Sequence, residues 1–380
     1  MKRISLFICF LLFSQAAWAA ETIKIGFMGP LSGDFVAVGI EAKQVVELLA
    51  RDTNDHGGIL GRKVEVICED DGGKPRIAAA AAKRLVRQGV VAVIGSYTSS
   101  ITESVQKVFD NGKVIQMAYG STAIPLTEKK LKYFFRTCPR DDEQAKAAVR
   151  IIQKMKIRKV ALLHDNSLYG KGLAEAIKKL LKDAMISVVF YDALIPGRQD
   201  YSDILTKIKG TDPEFFFFSG YYPEAARLLE GRDRMNWKVN FMGGDAVNSS
   251  VLVDIAGNKA AEGFYFLSPL VPENLDSPQA KKFLDHFKKV YDYKPSSIHA
   301  LLAGDAFIAI EENINKLKTT NTVLLSDYLH RKYFNPAGLT GQIRFNAKGD
   351  VVNDLHAVYR VDANGRFILQ RLLQYGEIVK

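Results

Sequence analysis

Short β-branched or apolar runs alternate with amphipathic segments along most of this chain, and the alternation occurs twice. Residues 23–28, 63–67, 90–94 and 113–117 read as strands, with helical periodicity between them over 39–52, 75–88 and 100–110. After a loop rich in Ser, Thr and Pro the rhythm resumes, with strands over 159–164, 187–191, 214–218, 239–242 and 263–267. Helices are expected near 142–155, 168–183, 201–209, 223–233 and 247–255. Strands that take turns with helices pair in parallel, so the expected fold class is α/β, with two doubly wound α/β lobes. The remainder changes character: two helical stretches, 280–291 and 297–316, precede short strands near 341–345, 357–361 and 367–372. No low-complexity linker divides the halves, which predicts lobes joined by a hinge of several chain crossings.

The N-terminus carries Lys2 and Arg3, an apolar block over 4–13, and Ala17-Trp18-Ala19. This is the pattern of a cleavable secretory signal peptide, with cleavage expected after Ala19. The block is shorter than the roughly 20 apolar residues a spanning helix needs, and no later segment supplies them. Periplasmic localisation is the expectation. Lys2 and Arg3 are two of the 52 basic residues, against 42 acidic ones, so their removal lowers the formal charge from +10 to +8. The lysines alternate with apolar positions and acids in helical stretches such as Lys178-Lys179 and Lys288-Lys289, as solvated helix faces do. Nucleic acid is therefore excluded as an expected partner. Cys68 and Cys138 remain after processing; one disulfide is possible in an oxidising compartment, and its formation is not decided by sequence.

In open α/β sheets, ligands bind beyond the carboxyl ends of the strands. The strand over 90–94 runs into "GSYTSS" (Gly95–Ser100) and then a helix, and the next strand runs into "AYGSTA" (118–123). A helix N-terminus offers unpaired N–H groups and partial positive charge, and adjacent hydroxyls complete a site for an anion. Thr98, Ser99 or Ser100 as an ordinary helix cap is the competing explanation. Neither turn has the lysine or spacing of a P-loop, which favours a carboxylate over a phosphate. The second half contributes His164-Asp165 and Tyr169, then Ser219-Gly220 with Tyr221 and Tyr222, then Gly243-Gly244-Asp245. An acid and tyrosines opposite an anion site suit a ligand carrying both charges. As a lone residue, Asp245 reads equally as a helix cap.

Enzyme signatures fail. Gly170-Lys-Gly172 begins a dinucleotide fingerprint whose third glycine position holds Glu175. No HExxH or CxxC spacing exists, so neither a metal nor a cofactor is expected. His164-Asp165 lacks the Gly-x-Ser-x-Gly elbow a hydrolase would require.

Seven stretches in order carry a family resemblance: "IKIGFMGPLSGDFVAVG", "DHGGILGRKVEVICEDD", "AVIGSYTSS", "HDNSLYGKGLA", "SGYYPE", "FMGGDAV" and "AEGFYF". Over nearly all of the mature length the chain resembles the leucine/isoleucine/valine-binding type of extracytoplasmic solute-binding protein, the type I periplasmic binding fold that feeds ABC importers. The resemblance implies a monomer without enzymatic activity that captures a small amino acid and delivers it to an ABC permease. It implies one lobe from 20–140 plus 270–352 and another from 141–269 plus 353–380. It places Ser99 and Thr122 on the ligand carboxylate, Gly120 and Asp245 on the ammonium, and Val38, Tyr169 and Tyr221 on the pocket wall. Asp245 stands where branched-chain binders usually have glutamate, and Val38 where relatives often carry an aromatic residue. The cysteine pair common in branched-chain binders would fall at Gly73 and Thr98. A carboxylate lacking an amine, bound for the same kind of importer, is the alternative ligand, and a ligand-presenting sensory module the alternative role.

Overall fold

A computed structural model describes residues 21–352 and 356–373. The expected leader and part of the tail assigned to the second lobe lie outside them. Strands β1 (Ile23–Gly29), β2 (Val64–Asp70), β3 (Ala92–Ile94), β4 (Ile115–Ala118) and β5 (Phe134–Arg136) form one sheet in the order β2-β1-β3-β4-β5. Every pairing in it is parallel. Helices Val36–Asp55, Pro75–Arg87 and Ser99–Asn111 make the crossovers, and β3 and β4 are wholly buried, as strands covered on both faces must be.

The second sheet repeats the plan. Strands β6 (Lys159–His164), β7 (Ser187–Ala193), β8 (Phe215–Ser219), β9 (Asn240–Gly243) and β10 (Tyr265–Ser268) pair in parallel in the order β7-β6-β8-β9-β10. The central β8 contributes four consecutive phenylalanines, Phe215 to Phe218, each fully buried. A small ladder of β11 (Phe334–Asn335) and β12 (Ile343–Arg344) follows. The chain then returns to the second sheet, where β13 (His356–Val361) and β14 (Phe367–Leu373) add an antiparallel edge beyond β10. In both sheets the strand order reverses beside the first strand, between β1 and β3 and between β6 and β8. Such a reversal opens a crevice at the carboxyl ends.

Chain crossings between the sheets follow β5, follow β10 and precede β13. At the first, Arg136 is fully buried and its Nη2 pairs with Asp350 at 2.6 Å and also donates to the Thr127 hydroxyl, while Nη1 donates to the carbonyls of Ser121 and Ala123. The helix Ile298–Leu317 then packs along Val36–Asp55, with Thr137 Oγ1 donating to Leu302 O at 2.8 Å.

The helix expected over 247–255 is broken. A 3-10 turn, Asp245–Val247, ends at Asn248, whose side-chain amide donates to Ser268 Oγ at 2.6 Å, and the helix restarts at Val251–Ala256. The three-residue β5 and the helix Thr322–Arg331 are additions to the sequence expectation. Cys68 and Cys138 are both free thiols.

Candidate ligand-binding site

The helix Ser99–Asn111 starts on the segment that follows β3. Thr98 occupies the cap position in an extended conformation, yet its side chain makes no capping bond. The hydroxyls next to it are used otherwise. Ser99 Oγ accepts from Ala123 N–H at 3.2 Å, tying this turn to the 119–123 turn, and Ser100 Oγ accepts from Leu168 N–H at 3.3 Å, reaching the second lobe. The competing role of these hydroxyls as helix caps is thus not the one they play. Thr122 Oγ1 is buried without a protein hydrogen-bond partner. The turn carrying it is fixed from behind by Arg136, which holds the carbonyls on either side of Thr122 at 3.1 and 2.9 Å. Gly120 must be glycine here: a Cβ would stand 2.5 Å from the Tyr97 ring and 2.8 Å from the Tyr97 carbonyl oxygen.

Across the crevice, Ser167 caps the helix Leu168–Asp183 by accepting from Gly170 N–H at 2.9 Å. That start points Tyr169 inward, where its hydroxyl donates to Asp245 Oδ1 at 2.9 Å. Asp245 is 2% exposed and lies within the 3-10 turn that Gly244 precedes, so it is no helix cap. Its backbone N–H donates to Gln144 Oε1 at 3.1 Å. A Cβ on Gly244 would collide with the Tyr169 hydroxyl at 2.3 Å and with Gln144 at 2.4 Å, so the glycine lets these groups converge. The tyrosine hydroxyl is an uncharged donor. It orients the Asp245 carboxylate without neutralising it.

Rings close the space between the lobes. Tyr221 packs against Tyr169 at 5.4 Å, Tyr97 at 6.0 Å and Phe35 at 4.8 Å, measured between ring centroids. His299, on the first turn of Ile298–Leu317, meets Tyr97 edge-on at 5.1 Å. Burial holds the hydroxyls of Tyr97, Tyr169 and Tyr221 well above the ordinary tyrosine range, keeping them protonated donors. Asp141, at the head of the helix Asp141–Lys154, is fully buried, and neither oxygen meets a protein donor at bonding geometry. Burial, with the negative Asp245 adding to it, pushes the Asp141 carboxyl well above the carboxylate range; Thr122 and Arg136 oppose the shift.

Of the residues singled out from sequence, Ser99, Gly120 and Thr122 lie on the segments that follow β3 and β4 of the first sheet, and Tyr169, Tyr221 and Asp245 on those that follow β6, β8 and β9 of the second. Val38 is buried on the first turn of Val36–Asp55, and the side chain that reaches Tyr97 and Tyr221 from there is Phe35. Phe35, Tyr97, Asp141, Gln144 and His299 were not foreseen. His164 and Asp165 are spent on their own turn: His164 Nδ1 accepts from Asn166 N–H at 3.0 Å, and Asp165 Oδ1 accepts from Ser167. They form no catalytic pair. Among the described residues no cluster of His, Cys, Asp or Glu could hold a metal, and no helix is long and apolar enough to cross a membrane.

The periplasmic binding protein family model matches residues 22–366. The chain belongs to that family. Within it, this solute-binding protein is 31% identical to the leucine-, isoleucine-, valine-, threonine- and alanine-binding protein of Pseudomonas aeruginosa, over 91% of this chain and 92% of that one. Its fold matches the branched-chain amino acid transporter substrate-binding protein of Streptococcus pneumoniae, solved with isoleucine, at a TM-score of 0.85 and 28% identity, covering 93% of this chain and all of the other. It also matches an R. palustris solute-binding protein solved with 4-hydroxybenzoate, at a TM-score of 0.83 and 20% identity, over 95% of this chain and all of that one. The family is one of solute-binding proteins, not enzymes, and the sheet plan described above is its two-lobed α/β fold.

Proposed function

We propose that this solute-binding protein captures a small neutral amino acid between its lobes in the periplasm and delivers it to the permease of an ABC importer. The observation that carries this reading is the placement of opposite chemistries at the strand ends of the two sheets: a helix N-terminus without a side-chain cap beside the Ser99 and Thr122 hydroxyls in the first lobe, and the Asp245 carboxyl held by the Tyr169 hydroxyl in the second. Ser99 and Thr122 take the α-carboxylate. The Gly120 carbonyl and Asp245 take the ammonium, and Val38, Tyr169 and Tyr221 wall the side chain. Burying a zwitterion is costly unless each charge is paired, and here each has a partner of the required sign.

Closure of lobe 141–269 plus 353–380 onto lobe 20–140 plus 270–352 brings the two halves of this site together. The contact of Ser100 with Leu168 marks where the lobes meet. The amino acids that the Pseudomonas and Streptococcus proteins bind support the ligand class. A second reading, an aromatic acid without an amine, draws on the ring wall of Phe35, Tyr97 and Tyr221 and on the 4-hydroxybenzoate-bound relative. The two separate in a thermal-shift screen of protein unfolded and refolded to remove carried-over ligand. Amino acids that raise the midpoint where their 2-oxo-acid analogues do not support the amino-acid reading; equal or exclusive stabilisation by the acids overturns it.

A further inference from the structure

The loop between β1 and the helix Val36–Asp55 reaches from the first lobe to the second. Asp70, at the end of β2, anchors its base by accepting from Leu31 N–H at 2.9 Å and from the Ser32 hydroxyl at 2.6 Å. Its tip, Gly33 and Asp34, is exposed, and there the Asp34 carbonyl accepts a hydrogen bond from the Tyr222 hydroxyl. Tyr222 opens the helix Tyr222–Arg234 of the second lobe, with Pro223 in its first turn, and is 2% exposed. Phe35, the next residue of the loop, lies 4.8 Å from Tyr221 and 6.0 Å from Tyr222 between ring centroids. A cavity of about 250 Å³ beside the bond is walled by Asp34 from one lobe and by Arg198, Tyr222, Glu224 and Val251 from the other, so the bond stands where the lobes meet. Tyr222 is the neighbour of Tyr221, yet only Tyr221 enters the proposed site.

We propose that Tyr222 is a latch: a positioning residue whose hydrogen bond to the Asp34 carbonyl holds the lobes shut and sets how long a ligand stays rather than which ligand enters. The inference rests on the closure proposed above and adds the residue that keeps the closed form. Donor and acceptor belong to different lobes, so the bond exists only when the lobes are together, and opening returns both groups to water. Burial, with Asp34, Glu224 and Glu41 adding to it, pushes the Tyr222 hydroxyl up to about 12, so it remains a donor at neutral pH. The acceptor is main chain and does not titrate. A ligand entering the open crevice does not feel this bond; a ligand leaving must wait for it to break. The effect is the same for every ligand, because the partner of Tyr222 is the protein itself.

Tyr222→Phe removes the hydroxyl and keeps the ring against Phe35. Stopped-flow mixing of the refolded, ligand-stripped protein with leucine, threonine, the 2-oxo-acid analogue of leucine and 4-hydroxybenzoate, followed by tyrosine fluorescence, gives on- and off-rates for whichever of them bind. A hydrogen bond between uncharged groups shifts an equilibrium by about 2- to 12-fold, so the variant should release each bound probe faster by one common factor in that range. Its on-rates and its ligand-free thermal midpoint should stay at native values. An unchanged off-rate overturns the latch. So does a loss that lies in the on-rate, or a factor that differs between probes, which would put Tyr222 in contact with the ligand. A midpoint that falls while the off-rate holds makes the residue structural only and overturns it as well. Binding of the acids alone refutes the amino-acid reading, and the latch is then read from their off-rates; an unchanged off-rate for bound amino acids sinks the latch and leaves that reading standing.

Discussion

Asp245→Asn tests the ammonium site with little change in shape. The asparagine keeps the volume of the side chain and an oxygen for the Tyr169 hydroxyl, now at 2.9 Å from Asp245 Oδ1, and removes only the charge. Asp245 is buried among rings, where the ligand ammonium would lose its counter-charge outright. Removing one member of a buried charge pair costs about 3–5 kcal/mol. At about 1.4 kcal/mol per decade, the dissociation constant should rise by roughly 100-fold to several thousand-fold. For a micromolar binder, with about 8 kcal/mol in total, this leaves an affinity of about 0.1 mM to a few mM. Calorimetric titration of refolded protein with its best amino acid measures the loss. The thermal midpoint without ligand should stay level or rise, because the substitution removes a buried charge that no protein cation is shown to pair with; sites kept for binding commonly trade stability in this way. A dissociation constant within threefold of native, in a variant where Ser99→Ala still weakens binding, would refute Asp245 as the ammonium partner.

Tyr169→Phe should weaken binding by about 10- to 150-fold in the same titration, since a hydrogen bond to a charged group contributes about 1.5–3 kcal/mol. Arg136→Met should lower the thermal midpoint sharply, because it leaves Asp350 with only the longer Arg140 contact at 3.4 Å as a counter-charge and frees the Ser121 and Ala123 carbonyls; breaking a buried pair costs about 3–5 kcal/mol. The double variant Arg136→Met, Asp350→Leu should regain part of that loss, and a midpoint as low as the single variant's would contradict this account of the hinge. His299 predicts a pH dependence. Burial depresses its proton affinity in the folded state, so below its ordinary value of about 6.5 the unfolded chain takes up a proton that the folded chain does not. Its contribution to stability is therefore present above that pH and declines as pH falls toward the folded value. Urea titrations between about pH 5 and 7.5 should show a shallower decline in His299→Phe than in the native chain; identical slopes would place the imidazole in a less buried setting.

Local signals marked most of the architecture. The strand Lys159–His164 and the helix Leu168–Asp183 fall where periodicity puts them, because Ser167 supplies a local stop and start: its hydroxyl caps the helix at Gly170 N–H. The second-lobe helix expected over 247–255 fails for a reason no window of sequence contains. Asn248 is drawn out of the helical ladder by Ser268, on β10, twenty residues on. Likewise β5 ends in an arginine, which reads as an exposed terminus until Asp350 arrives from 214 positions away to bury it.

The candidate site divides along the same line. Ser99, Gly120, Thr122 and Asp245 sit in turns at strand ends, and the rule that open α/β sheets bind ligands there picks out those turns, while the individual roles come from the family resemblance. Phe35 and His299 do not obey that rule. Phe35 precedes a helix and His299 lies on one; Phe35 meets Tyr97 within its own lobe and Tyr221 from the other, and His299 meets Tyr97. Strand ends set the polar contacts that any amino acid would make, while residues delivered from helices and from the returning C-terminal segment shape the space for its side chain. Ligand class is therefore the more legible property. The space for a side chain is set by residues whose surroundings are assembled by tertiary contact.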